Sequence, residues 1–461
     1  MRTPNTRLRQ AIRTAGCSYA ELAKEIRAVA AETGNGKLRT NSSAVAHWVA
    51  GTQPHDAAAA CLTEALARKL GRLVTREQLG LPSPAEPFGG DASAHEAWGG
   101  GSPVDALTRL GRADIQRLGP AADAAYSIAA AALPLERARE IAARGSAVRA
   151  TGSAGEAEIQ AVKDMTRMFT FIDERHGGEH GRSAAVQYLV SDVATLCRAR
   201  FRTLTQHQEM LSAAACLVFL VAWKAHDGGE LGLAQRYYLQ AYRLTREAHN
   251  EQHGAFVLYA LAHQGMESGH FEHSLSLADA ALERVRNRTD PGTESLYAIT
   301  RARALALHGR RREAVAEAAR AGRLIQDSDA AQMPYWVAVR GSAAAAVDMH
   351  TATTAMGLGD WSTAERLFSQ AASHWRGVAF ARATAMSMAY AGAVQCRQGH
   401  LEQACDTWET VLQVAGGVRS ARIVDAVTGM RGDLTPFKRR RARVAMDLDE
   451  RARAWLIATK P

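Results

Sequence analysis

Gly229-Glu-Leu231-Gly-Leu-Ala234 has the shape glycine, any, apolar, any, any, small. It returns as Gly269-His-Phe271-Glu-His-Ser274 and Gly309-Arg-Arg311-Arg-Glu-Ala314, then as Gly359-Asp-Trp361-Ser-Thr-Ala364 and Gly399-His-Leu401-Glu-Gln-Ala404. The glycines are 40, 40, 50 and 40 residues apart. A repeat of this length is the signature of stacked helical hairpins. Seven residues before each glycine sits Ala222, Ala262, Ala302, Ala352 or Gly392. Nine after it sits Tyr238, Ala278, Ala318, Phe368 or Trp408, and twelve after it Ala241, Ala281, Ala321, Ala371 or Val411. These offsets fall on one helical face. Small residues on both helices let two backbones approach closely. The glycine ends the first helix because it takes the left-handed cap without a Cβ clash.

The small–Gly–aromatic–Ala skeleton resembles the tetratricopeptide repeat. Two features depart from that family: the period is 40 rather than 34, and Arg311 replaces the apolar residue of the third copy. Ten extra residues lie between the third and fourth copies, around 327–347, and include Pro334 and Trp336. Hydrophobic residues make up 47% of the chain and aromatics only 6%, which suits alanine-rich helix packing better than sheet. The expected fold is all-α: a small helix-turn-helix domain joined by a flexible linker to an α-solenoid of tetratricopeptide-like hairpins. The expected divisions are 1–80, a linker at 81–103, a helical lead-in at 104–215, the array at 216–415 and C-terminal helices at 416–461.

Charge is uneven along the 461 residues. The net value is +9, and residues 1–80 carry +6 of it, from 12 Lys/Arg and 6 Asp/Glu. This is the electrostatic footprint of a polyanion-binding segment. In that segment, Ser18-Tyr-Ala-Glu21 is a capping box that opens a helix. Asn41 or Ser42 caps the next helix, which Gly51 stops.

Ser43-x-Val45-x-x-Trp48-x-x-Gly51-x-x-Pro54 resembles the recognition helix of Xre-type helix-turn-helix domains. The resemblance implies that Val45 and Trp48 are core. It also implies that Ser42, Ser43, Ala46 and His47 face the bases of double-stranded DNA, while Arg7, Lys37, Arg39, Asn41 and Thr52 meet its backbone. The connection 32–40 is longer than the family's usual turn of about four residues. Such a module makes a small footprint, so specific binding is expected to need a homodimer on two half-sites.

Leu81–Pro103 holds four prolines and five glycines, the composition of a flexible linker. Beyond it, Val104–Arg149 has helical periodicity interrupted at Pro120 and Pro134. His176-Gly-Gly-Glu-His180 has the H-x-x-E-H spacing of a zinc-protease pattern. That chemistry needs both imidazoles on one continuous helix, and Gly177-Gly178 is poor helix material, so a loop and no metal are expected. No catalytic constellation, phosphate-cradling loop or cofactor motif appears, and no enzyme is expected. Six cysteines without a C-x-x-C pair, an N-terminus without an apolar core and no long uncharged span lead to the expectation of a cytoplasmic protein with no membrane segment.

An Xre-like start, a Pro/Gly linker, Asp173-Glu-Arg-His-Gly-Gly178 and repeats containing Gln235-Arg236-Tyr237 together resemble a family of actinobacterial transcriptional regulators. The resemblance implies sequence-specific DNA binding, with the array setting the dimer and sensing a peptide, small-molecule or protein effector. Gln235, Arg236, Tyr237, His263 and Gln264 are the expected lining of its groove. The competing expectation is an interaction scaffold that binds no DNA directly. The basic run Lys438–Arg443 reads as a solvated face.

Overall fold

Gly229, Gly269, Gly309, Gly359 and Gly399 all take positive φ, between +72° and +87°, in a computed structural model of the chain. The structure describes residues 4–33, 38–72, 74–82, 102–116, 125–136, 152–375 and 380–459. Among these residues the only β pairing is an isolated bridge between Ser153 and Arg200. The fold is all-helical.

The first four helices are α1 (Thr6–Thr14), α2 (Tyr19–Glu32), α3 (Ser42–Val49) and α4 (Asp56–Leu70). They share one core, including Leu8, Leu22, Ile26, Val45, Trp48, Leu62 and Leu66. The Ser18–Glu21 capping box is present, and Asn41 caps α3 by accepting from the Ala44 amide at 2.9 Å. Lys37 and the stretch 83–101 of the expected linker lie outside the described residues.

The lead-in comprises α5 (Pro103–Gln116), α6 (Ile128–Glu136), α7 (Glu156–His176), α8 (Arg182–Tyr188) and α9 (Ala194–Leu196). A π-helical turn, Leu189–Val193, separates the last two. Pro134 sits inside α6 rather than ending it.

Five hairpins follow in a solenoid-like stack. They pair α10 (Leu204–Asp227) with α11 (Leu231–Glu247), and α12 (Glu251–Glu267) with α13 (Phe271–Val285). Next, α14 (Pro291–Leu307) pairs with α15 (Arg311–Gln326). After the short α16 (Tyr335–Ala338), α17 (Ala343–Gly357) pairs with α18 (Trp361–His374), and α19 (Ala381–Arg397) with α20 (Leu401–Val414). Most hairpin helices run 14–17 residues, with three-residue turns inside each hairpin and longer connections after the shorter helices, which keeps the 40-residue period. The chain ends with α21 (Ala421–Asp433), α22 (Thr435–Arg439) and α23 (Arg443–Thr459). In the basic run, Lys438 pairs with Asp449 at 2.7 Å.

The repeat's small residues serve close packing. Ala222, Ala234, Ala241, Ala262, Ala302, Ala314, Ala321, Ala352, Ala364 and Ala371 are all fully buried. Helix α10 is long and apolar enough to cross a membrane, but 83% of its apolar window is buried inside the stack. The extra residues between the third and fourth hairpins form α16 and its flanks, and they fold back onto earlier helices. Tyr335 Oη donates to the Lys163 carbonyl at 2.7 Å, and Trp336 stacks on His253 at 4.6 Å.

The four-helix head does not hang free of the array, because Tyr126, Ile128 and Ala131 complete its core and Leu231 packs against it. Arg68 donates to the Tyr126 carbonyl at 2.7 Å, and the Ile128 amide donates to Glu64 at 3.3 Å. On the other side of the same segment, the Ser127 backbone exchanges two hydrogen bonds with the Gln235 side-chain amide, at 2.8 and 2.7 Å. Tyr126 also stacks on His270 at 5.0 Å. Residues 125–131 are thus a clasp between head and array.

Candidate functional site

Helix α3 divides into two faces. Val45, Trp48 and Val49 are buried in the head, while Ser42, Ser43 and His47 are exposed and Ala46 is half-buried. Asn41 and Arg39 are exposed beside its N-terminus. Arg7 is exposed on α1, where its guanidinium also donates to the Glu77 carbonyl at 3.0 Å. Thr52 is half-buried just past α3. The polar face of α3 stays open with the array in place. An exposed helix N-terminus with hydroxyls at its first turn can meet base edges or phosphates.

The second site lies inside the stack. Helices α7, α10, α12, α14, α16, α17, α19 and α21 and the segment after α16 line a half-open cavity with about 180 Å³ of room for the centres of water-sized molecules. An aromatic ladder climbs one wall. Phe219 stacks on Phe256 at 4.9 Å, Phe256 on Tyr259 at 5.3 Å, and His263 on His350 at 4.2 Å. Burial holds both imidazoles neutral: His350 is pushed down to about 3, and His263 well below its ordinary value, with His350 as a lesser cause.

The opposite wall is ionic. Three guanidiniums surround the Trp223 ring, Arg382 at 5.1 Å, Arg340 at 5.2 Å and Arg422 at 5.4 Å from its centroid. Arg382 is buried and pairs with Asp173 at 2.9 Å, with Glu174, and with Asp227 at 3.5 Å. Lys224, also buried, lies 3.4 Å from Asp173. Burial alone would lower Arg382, but Asp173, Glu174 and Asp227 carry it up. Burial lowers Lys224 and raises Glu174, in each case against their ion-pair partners. Arg422 pairs with Glu267 at 3.1 Å, and His226 reaches the same carboxylate at 3.0 Å. Burial would raise Glu267, yet these partners hold it well below the usual range.

His176 and His180 do not share a helix. His176 closes α7, Gly177 turns with φ +87°, and His180 lies in the turn before α8. The glycines are there for space. A Cβ on Gly177 would stand 2.1 Å from the Arg419 carbonyl oxygen, and one on Gly178 2.5 Å from that of Lys224. The Gly178 amide donates to Asp227 at 2.8 Å, as does the Ser420 hydroxyl. The loop therefore positions an acceptor of Arg382. No cluster of three or more metal-ligating side chains occurs among the described residues.

Of the five array residues expected to line a groove, His263 lies on this cavity. Gln235, Tyr237 and Gln264 are buried and committed elsewhere. Gln235 holds the clasp, Tyr237 donates to Asp114 at 2.9 Å, and Gln264 donates to the Leu231 carbonyl at 2.6 Å. Arg236 is half-buried away from the cavity lining. Sequence reasoning missed Trp223, Arg340, Arg382 and Arg422. The available signal was the break in repeat period, since the extra residues are what deliver Arg340.

A family model described as the SP15 N-terminal domain matches residues 8–82, the span of the four-helix head and its closing segment. No curated protein matches the chain.

Proposed function

We propose that this chain is a sequence-specific DNA-binding transcription regulator whose helical array receives a signal. In this reading α2 and α3 act as an Xre-like helix-turn-helix, and the hairpins are tetratricopeptide-like repeats. Two copies act together on paired half-sites in the cytoplasm. The observation that carries the reading is the division of α3: an exposed polar face of Ser42, Ser43 and His47 backed by buried Val45, Trp48 and Val49. The charge excess of residues 1–80 supports it, because neutralising phosphates releases counterions and drives association. The clasp supplies a route between array and head. An effector acts only by preferring one arrangement of the two, and DNA must then alter effector affinity by the same factor.

The test is a gel shift of the full chain on genomic DNA fragments across a salt series. The expected result is retention of a subset of fragments, with affinity falling steeply as salt rises. Absence of binding by the full chain at low salt favours the scaffold and ends this reading.

A further inference from the structure

The ionic wall of the internal cavity carries more positive than negative charge. Arg340, Arg382 and Arg422 line it against the carboxylates of Glu174 and Glu267, while His263 and His350 are neutral. The surplus is localised. Arg382 and Arg422 each have carboxylate partners, but among the described residues no carboxylate lies within ion-pair distance of Arg340. Its guanidinium instead rests over Phe219 at 5.6 Å and Trp223 at 5.2 Å. Arg340 Nη1 is buried with no hydrogen-bond partner, and so are Trp223 Nε1, Arg382 Nε and His350 Nδ1, all on cavity-lining residues. Unpartnered buried polar atoms are rare in folded proteins and call for a partner. Most of the remaining lining is apolar, including Phe219, Phe256, Leu296, Ala346, Met349 and Met386.

We infer that this cavity binds a small aromatic molecule bearing one carboxylate. Its ring lies along Phe219, Phe256 and Tyr259, and its acid meets Arg340 beside Trp223. A largely apolar pocket with a few convergent polar groups is the usual form of a small-ligand site. A cation or a neutral ring leaves Arg340 without its counter-charge. A dianion exceeds the one unpaired guanidinium. The inference deepens the sensing half of the proposed function and rests on it for the meaning of binding, but not for binding itself.

The experiment is isothermal titration of the full chain with 1-naphthylacetate, its neutral amide and 1-naphthylmethylamine, which share a ring and differ in charge. The acid should bind at least tenfold more tightly than the amide, and the amine should give no heat. Arg340→Ala should bring the acid down to the level of the amide. Ala346→Trp fills the cavity from a half-buried position and should abolish binding of both, with helicity retained by circular dichroism. Equal binding of all three compounds, survival of binding in Ala346→Trp, or no heat from the acid at millimolar concentration overturns the assignment. Gel shifts on the same proteins separate the two readings. Acid binding without any effect on DNA affinity leaves the cavity standing and removes the sensing role. No acid binding by the wild-type chain, with DNA binding intact, removes the cavity assignment and leaves the DNA-binding reading standing.

Discussion

Arg68 Nη2 donates to the carbonyl oxygen of Tyr126 at 2.7 Å, across 58 residues of chain. The same guanidinium forks onto Glu32 at 2.8 and 2.7 Å and reaches Glu64 at 3.1 Å, with its side chain 6% exposed. Its acceptors come from both sides of the contact between head and clasp. A mobile head would have to desolvate and re-solvate this charge at every excursion, so the contact favours one arrangement of head on array.

Arg68→Ala leaves the half-buried Glu64 carboxylate without its cation. Removing one partner of a buried pair costs about 3–5 kcal/mol. Denaturant unfolding should show that loss in the head. Small-angle scattering of the full chain at low denaturant should show an increased radius of gyration, which an unchanged scattering profile would contradict.

Glu64 makes the same contact sensitive to pH. Burial pushes its carboxyl up from 4.5 to about 7, and Arg68 and the Ile128 amide only partly offset that. The folded state therefore holds a proton that the unfolded chain releases between pH 4.5 and 7. Stability contributed by this group is fully present below about 4.5 and is lost as pH rises through about 7, by up to roughly 3 kcal/mol. Glu64→Gln lacks the titration. The stability difference between wild type and Glu64→Gln should drift against wild type across that window and be flat above it. Parallel pH profiles would refute the assignment.

Gly392 tests the packing of the last hairpin. A Cβ there would stand 2.5 Å from Trp408 Nε1 and 2.7 Å from Cδ1, and the indole is pinned because Nε1 donates to the Ala389 carbonyl at 3.1 Å. Gly392→Ala should cost about 1–3 kcal/mol through overpacking. Gly357→Ala, with nothing within 4 Å of the new Cβ and ordinary backbone, should not destabilise and can gain a few tenths from helix propensity. Thermal melts of both variants decide it, and equal losses would show that the repeat's small positions are not set by contact.

The array was legible because its information is local and periodic. A glycine, the small residue seven before it and the face five, nine and twelve after it all lie within one hairpin. The cavity was not legible because it joins remote residues. Arg382 meets Glu174 across 208 residues, and Ser420 meets Asp227 across 193. Only the folded stack brings α7, α10, α19 and α21 to one place. Gln235 and Tyr237 were misplaced for a related reason: polar groups on an amphipathic helix suggest an open groove, but earlier segments had already taken these as partners. For α3 the core positions came from the resemblance to a recognition helix, and Val45 and Trp48 are buried as it implied, with Val49 beside them.

That division of α3 allows stability and recognition to be separated. Trp48 is 8% exposed and packs in the head's core, so Trp48→Ala should cost about 3–5 kcal/mol and unfold the head. Ser43 and His47 are exposed, and exposed substitutions usually shift stability by less than about 0.5 kcal/mol. If their side chains read bases, Ser43→Ala and His47→Ala should each weaken preferred sites by about 1–3 kcal/mol and leave non-specific DNA binding unchanged. Arg39→Ala should act in the opposite way. A lost phosphate contact weakens all sequences alike and lowers the slope of log affinity against log salt by about one. Denaturation curves and gel shifts on all four full-length variants give the answer together. A folded Trp48→Ala protein with normal DNA binding would show that neither the head's stability nor its DNA contact depends on that ring. Uniform loss in Ser43→Ala would turn its role from base contact to backbone contact.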